Sequence, residues 1–419
     1  MKSFLTAFLI SIFPIFATAA TPSLQGIIDL VRAGKYDAAR AMHDKLPHAP
    51  IDEVFLEAQI FTAKGQIADA ITAYRAILTA RPDLIPARQL LARLLFSIGD
   101  WDAARFQYRT LFDATSNRAQ RAQYAKILGE IQRRIPSGYT TTFTLTPSSN
   151  INRGTGNNEI FLGAPLIDEQ VEQSGVGAQL GLGAFYRIPQ GETAVLVFNA
   201  QAFYTHYSQD VFNIMQPRLS VAYENTTPKQ MTRFALTAER VLRKRESSYT
   251  ILSFDHSGRR ALEGPNTLTW SAGVRQFDFD HSPAQDGPEF NMRLGLQRQM
   301  SPTLSLIGGI GLGRGVPESE VFRYYRLSAN LGVSKNWQGG WATFAGLEIG
   351  SRQYDAKFPT LPDNRADTYW SLRGTVLNST ISYQGFAPRV NCLYLRNTSN
   401  VGFYDYTTLE CGVQLTREY

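Results

Sequence analysis

The chain has 419 residues, 42 basic against 36 acidic side chains for a formal charge of +6, and 33 Gly, 25 Phe, 19 Tyr and 2 Cys. A length beyond what one hydrophobic core normally carries points to two domains. The basic residues are spread along the chain and not massed in one region, which argues against nucleic acid as a partner.

The N-terminus reads as an export signal. Met1 and Lys2 precede an apolar stretch from Phe4 to Phe16, and Ala17-Thr18-Ala19 supplies a small-residue cleavage site, so residues 1–19 are expected to be a signal peptide. The apolar stretch is too short for a membrane span. No cysteine lies near the cut, so a lipid anchor on the mature N-terminus is not expected.

Residues 20–136 carry helical periodicity. Leu24, Ile27, Ile28 and Val31, then Phe55, Ala58 and Thr62, then Leu90, Leu91, Leu94 and Leu95 recur at helical spacing, each run closed by a glycine. Gly34, Gly65 and Gly99 stand 31 and 34 residues apart; Ala39, Ala70 and Ala104 follow each by five, and Tyr74 and Tyr108 follow the last two alanines by four. This resembles tetratricopeptide repeats, with a degenerate first unit and a capping helix from Arg118 to Arg133. Stacked helix pairs of this kind form either a concave client surface or a rigid periplasmic spacer. Arg133, Arg134 and Pro136 end the helical region.

From residue 137 to 419 the period changes to two. Leu180, Leu182, Ala184 and Tyr186 oppose Gln179, Gly181, Gly183 and Phe185, and Leu304, Leu306, Ile310 and Leu312 oppose Ser305, Gly309 and Gly311. Fourteen such segments can be counted. The penultimate is expected at 379–393 after a short turn at Asn378-Ser379, and the last at 404–419, with an over-long inward turn at 258–265. Strands with one face in hydrocarbon are tolerated only in a closed sheet, so the fold expected is α+β multidomain: a tetratricopeptide-like α-solenoid followed by a transmembrane antiparallel β-barrel. An even strand count puts the helical domain and Tyr419 on the same, periplasmic, side of a Gram-negative outer membrane.

No catalytic or cofactor chemistry is legible. His43, His48, His206, His256 and His281 lack ligand spacing, so no metal site is expected. Asp255-His256-Ser257 has the residue types of a triad but not its geometry. Asp363 to Asp367 is expected as an acidic, external loop, a weak candidate for a cation, and the glycines after Asn150 lack the lysine of a phosphate loop. In the terminal strand Leu409, Cys411, Val413, Leu415 and Tyr419 share one face, interrupted by Arg417, whose long stem can snorkel to the membrane rim. Leu409, Val413, Leu415 and Tyr419 therefore mark the barrel-closing strand. Cys392 and Cys411 fall in the last two strands, either as a disulfide locking the hairpin or as two thiols.

The whole resembles the surface lipoprotein assembly modulator family, Slam. The resemblance rests on the repeat domain followed by fourteen strands, on PSSNIN at Pro147 to Asn152, GFAPRV at Gly385 to Val390, and the loop from Ser399 that leads to YDY at Tyr404 to Tyr406. It departs in its compact repeat domain and in ending on Tyr419 where Phe is commoner. It implies a non-enzymatic factor that helps lipoproteins or secreted binding proteins reach the cell surface, without cofactors, in contact with outer-membrane lipid, the barrel assembly machinery and a client protein. Asn150 and Asn152 would orient the barrel entrance and Arg389 would line it; a hydrogen-bonded turn and ordinary lumen packing explain the same residues. A polysaccharide-export or general diffusion porin, or an assembly scaffold without a passage, are the competing functions.

Overall fold

The computed structural model of the protein describes residues 24–115, 117–156, 171–244, 248–357, 363–381 and 387–416. The expected signal peptide, Arg417 and Tyr419 lie outside these residues, as does part of the GFAPRV segment. The chain divides by its packing between Tyr74 and Arg75.

The first unit contains α1 (Leu24–Arg32), α2 (Tyr36–His43), α3 (Pro50–Ala63) and the beginning of α4 (Ile67–Ala80). Gly34 and Gly65 sit at φ 73° where a helix must stop and reverse, a backbone state that L side chains rarely adopt. Ala39 and Ala70 are fully buried, so small residues recur because neighbouring helices approach there. Ile27, Val31, Leu56 and Ile60 form the core around Ala39. Arg40 of α2 grips Glu57 of α3 through both carboxylate oxygens, at 2.5 and 2.9 Å. The bond from Arg40 holds the Glu57 carboxyl below the usual carboxylate range.

The second unit carries the rest of α4, then α5 (Ile85–Ser97), α6 (Trp101–Ala114) and α7 (Arg118–Arg134), and all of the sheet. Gly99, at φ 78°, repeats the glycine stop, and Asp100 and Asn117 accept backbone N–H groups at the starts of α6 and α7. Tyr108 fills the space between Phe96 and Tyr124, with ring centroids 6.4 and 6.1 Å away.

Fourteen antiparallel strands close into a barrel, each paired with its sequence neighbours and the first with the last. They are β1 (Ser137–Ser148), β2 (Gly175–Gln190), β3 (Ala194–His206), β4 (Ile214–Thr226), β5 (Gln230–Arg243), β6 (Tyr249–Ala261), β7 (Asn266–Phe279), β8 (Gly287–Ser301), β9 (Leu304–Gly315), β10 (Tyr324–Asn336), β11 (Trp341–Lys357), β12 (Asn364–Asn378), β13 (Ala387–Ser399) and β14 (Tyr406–Thr416). Outward positions such as Leu180, Leu219, Leu236, Leu252, Leu294, Leu327 and Leu331 are exposed, as a lipid-facing belt requires. Above that belt, toward the end away from the helices, outward side chains turn ionic: Arg314 binds Asp355 at 2.5 Å, and Arg240 pairs with Asp280. At the opposite end Lys335 lies 3.8 Å from the centre of the exposed Trp337 ring, a cation and an aromatic of the kind that settle at a membrane interface.

Several strand boundaries differ from the sequence expectation; β12, beginning at Asn364, takes in most of the expected acidic loop Asp363 to Asp367. β6 runs on to Ala261, so the long inward turn contracts to 262–265, with Gly264 at φ 68° and Leu262 N–H bonded to Asn266 O at 2.9 Å. β13 starts at Ala387, not at 379. The reason lies at Asn378, whose buried side-chain oxygen accepts Thr380 N–H at 2.8 Å and Thr380 Oγ1 at 2.6 Å. This Asx turn leads the chain off the ladder before alternation can resume. Pro388 then falls near a strand start, where its missing donor costs least.

Candidate functional site

Chain direction fixes the two rims. The strand ends that adjoin α7 form the periplasmic rim, and the ends at Ser148 and Tyr406 form the external one. Three features follow: a polar lumen, an uneven closure seam, and a cavity between helices and the periplasmic rim.

Alternation sends Arg218, Glu239, Arg233, Glu224, Arg326 and Glu289 into the lumen, where they pair as Arg218–Glu239 at 2.6 Å, Arg233–Glu224 at 3.3 Å and Arg326–Glu289 at 3.3 Å. A lumenal cavity of about 300 Å³ is walled by Arg293, Glu348 and Arg373 over Gly295, Gly309 and Gly311. The small residues are space-saving: a Cβ on Gly350 would fall 2.4 Å from the Tyr369 ring, whose hydroxyl reaches Glu348 at 3.3 Å. Asp255 and Ser257 face this side, whereas His256 faces outward, stacked 4.2 Å from Phe234 and accepting Trp270 Nε1–H at 3.0 Å. The triad-like tripeptide is thus divided between two faces of the sheet.

The seam joins β1 to β14. Among the described residues it has three register pairs, Thr144↔Gln414, Leu145↔Val413 and Ser148↔Glu410, against twelve between β1 and β2. Pro147, which lacks a donor, stands in the gap. β14 is held far better on its other side, by eleven pairs with β13 and by a disulfide between the directly opposed Cys392 and Cys411. Leu409, Val413 and Leu415 point outward and are 48, 44 and 48% exposed. Any parting of the barrel is therefore expected between β1 and β14.

The external end of the seam is latched. Asn150, fully buried, donates to Gly154 O at 2.8 Å and Thr407 O at 3.0 Å and accepts Gly154 N–H at 2.9 Å. Thr408 Oγ1 donates to Asn150 O, and the Ser148 and Thr408 hydroxyls lie 3.2 Å apart. Asn152 donates to Val171 O at 2.7 Å and accepts Gln173 N–H at 3.0 Å, gathering both ends of the first external connection. Both asparagines thus lie at the end of β1 remote from the helices, in hydrogen-bonded turns. Arg389 is at the periplasmic end of β13, opposite Gln414 and Leu377, and its alternation is lumenal.

At the periplasmic rim α6 and α7 rest on the barrel. Arg121 donates to Pro228 O at 3.3 Å, Arg133 to Glu192 O at 3.1 Å and Arg187 to Ile135 O at 3.0 Å, and Asp113 pairs with Arg259. Beside these contacts a cavity of about 520 Å³ lies between α4–α6 and the β10–β11 and β12–β13 connections, lined by Arg88, Leu91, Leu95, Phe106, Trp337 and Trp341 among others. Arg88 is 8% exposed, yet it donates to neutral acceptors, Gln107 Oε1 at 2.7 Å and Pro82 O at 3.0 Å. Burial lowers its pKa to about 10. Sequence periodicity marked Arg88 only as one residue of a helix; its burial depends on the packing of α6, which no local pattern reveals.

A family model described as surface lipoprotein assembly modifier matches residues 139–419, and one described as tetratricopeptide repeat matches residues 61–131. The chain belongs to the surface lipoprotein assembly modifier family. It is 22% identical over 420 residues to surface lipoprotein assembly modifier 1 of Haemophilus influenzae, covering 94% of this chain and 84% of that protein. Among solved structures it is similar to the outer membrane channel DcaP of Acinetobacter baumannii, with a TM-score of 0.38 at 10% identity, covering 66% of this chain and 96% of that one. OccK10 of Pseudomonas aeruginosa matches with a TM-score of 0.35 at 9% identity, over 66% of this chain and 98% of that one. Likenesses of this depth carry no functional argument; the family assignment does. It makes the protein a non-enzymatic outer-membrane factor of surface lipoprotein assembly, with its repeat domain in the periplasm.

Proposed function

We propose that residues 20–136 receive a lipoprotein client in the periplasm and that the barrel, residues 137–419, gives it an exit in which the seam between β1 and β14 parts. The observation that carries this reading is the unequal hold on β14, which among the described residues has three register pairs on one side against eleven and a disulfide on the other. A lipoprotein poses a particular problem: its polypeptide must cross a polar path while its acyl chains stay in hydrocarbon. A polar lumen that opens sideways into lipid meets both demands when the freed backbone groups of β1 and β14 turn to the lumen or to the client, because each one left unpaired in hydrocarbon costs several kcal/mol. The cavity beneath the periplasmic rim is where the client first engages, its apolar floor taking side chains and Arg88 taking an acceptor from the client. Insertion of the barrel itself falls to the barrel assembly machinery, which would read the terminal strand through Tyr419. Asn150 holds the external end of the seam, Asn152 closes the first external connection beside it, and Arg389 marks the lumenal wall near the periplasmic end of β13.

The family assignment favours this reading over a diffusion porin or a passive scaffold. Its test is a seam lock. Thr144→Cys combined with Gln414→Cys places cysteines at a register pair, in a Cys392→Ser/Cys411→Ser background so that one disulfide alone reports. Oxidised cells should lose surface display of the client and recover it on reduction, while each single variant displays normally. Full display by a barrel shown to be quantitatively cross-linked would overturn lateral exit and leave passage along the lumen.

A further inference from the structure

A site in the first unit is unrelated to the barrel. α2 ends on His43, and the connection to α3 folds back tightly, with Leu46 N–H bonded to His43 O at 2.9 Å. This return brings His48 beside His43, their ring centroids 4.2 Å apart with planes tilted by 41°. Ligand atoms of His43, Asp44 and His48 all lie within 4.8 Å of one another. The spacing looked uninformative because metal-binding histidines on a helix recur every three or four residues; here a turn, not a helical face, supplies the convergence.

Two observations point to a ligand. His43 is only 5% exposed, and its ring lies against that of His48, so the two imidazoles and the Asp44 carboxylate converge at one place. His48 Nδ1 lies 2.8 Å from Leu46 O. A carbonyl can only accept, so Nδ1 carries the proton, and in the neutral ring Nε2 presents a lone pair. A backbone carbonyl that fixes the tautomer in this way is the usual outer partner of a metal-binding histidine.

We propose that His43, Asp44 and His48 bind one divalent transition-metal ion, of which Zn2+ is the representative. Two imidazoles and one carboxylate suit a borderline ion and not Ca2+ or Mg2+, which take oxygen cages. Three protein ligands leave a fourth tetrahedral position to water. A bound ion gives the two adjacent imidazoles a common partner and ties the return after α2 to the end of that helix.

The experiment uses the full chain in detergent micelles, free of any histidine tag and stripped of metal, titrated with Zn2+ in a calorimeter and with Co2+ in a visible spectrometer. One equivalent of Zn2+ should bind, and Co2+ should give the ligand-field absorption of a four-coordinate site. His48→Ala and Asp44→Asn, both at exposed positions where folding is expected to persist, should each weaken Zn2+ binding ten-fold or more, and His43→Asn should abolish the stoichiometric step. Absence of a stoichiometric site in the wild-type chain overturns the proposal. So does binding that stays within two-fold in His48→Ala, since the ion then sits elsewhere.

Discussion

Replacing Arg88 by methionine separates binding from stability in the periplasmic helices. The guanidinium is 8% exposed with two neutral acceptors, and its pKa falls from 12.5 to about 10. At roughly 1.4 kcal/mol per tenfold change, that depression corresponds to an order of 3 kcal/mol by which the charge opposes folding. A base whose folded value lies below its unfolded one destabilises the fold at all lower pH, and relief comes only above about pH 10. Methionine keeps most of the volume and removes the charge, but orphans the Gln107 and Pro82 acceptors, at about 1 to 3 kcal/mol for a buried group. The two effects nearly offset. Arg88→Met should therefore hold the helical melt, followed by circular dichroism at 222 nm on the full chain in micelles, within about 1 kcal/mol of wild type. The same variant should display markedly less client. Destabilisation beyond about 2 kcal/mol would refute the reasoning, because it would mean that the charge is structurally satisfied and not held for a ligand.

Asn150→Ala should strip the external latch, leaving polar groups of Gly154 and Thr407 unpaired at about 1 to 3 kcal/mol, and lower the temperature at which the barrel loses its compact mobility in unheated gels. Cys392→Ser with Cys411→Ser should still fold, because eleven register pairs remain between β13 and β14, but should unfold earlier. Opening a loop of 19 residues is worth about 3 kcal/mol in the chain-entropy account, so reduced wild type should match the variant in a thermal melt. Asp113→Ala removes the carboxylate partner of Arg259 and should hasten protease cleavage between α7 and β1 without lowering the barrel melt.

Much of the fold was legible because its periods are dictated locally. A recurring glycine stop followed by a buried alanine announces paired helices, and one face of Leu, Val and Phe against one of Gly, Thr and Gln announces strands between unlike media. What escaped was set by side chains that override the period. Asn378 ends β12 with its own Asx turn and delays β13, although the residues beyond it keep strand-like alternation. The site was less legible than the fold. Asn150 and Asn152 stood out as asparagines after a strand, but the partners of Asn150, Thr407 and Thr408, are more than 250 residues away in sequence. The thin seam depends on how a 14-stranded ladder closes, and the return that unites His43 with His48 depends on backbone bonds after α2, so neither follows from spacing alone.

Surface lipoprotein assembly itself is tested most directly in cells. A lipoprotein of the same organism, probed by protease added to intact cells, should be cleaved when this protein is present and protected when its gene is deleted, with total lipoprotein unchanged. Undiminished cleavage in the deletion strain, for every surface lipoprotein assayed, would contradict the account.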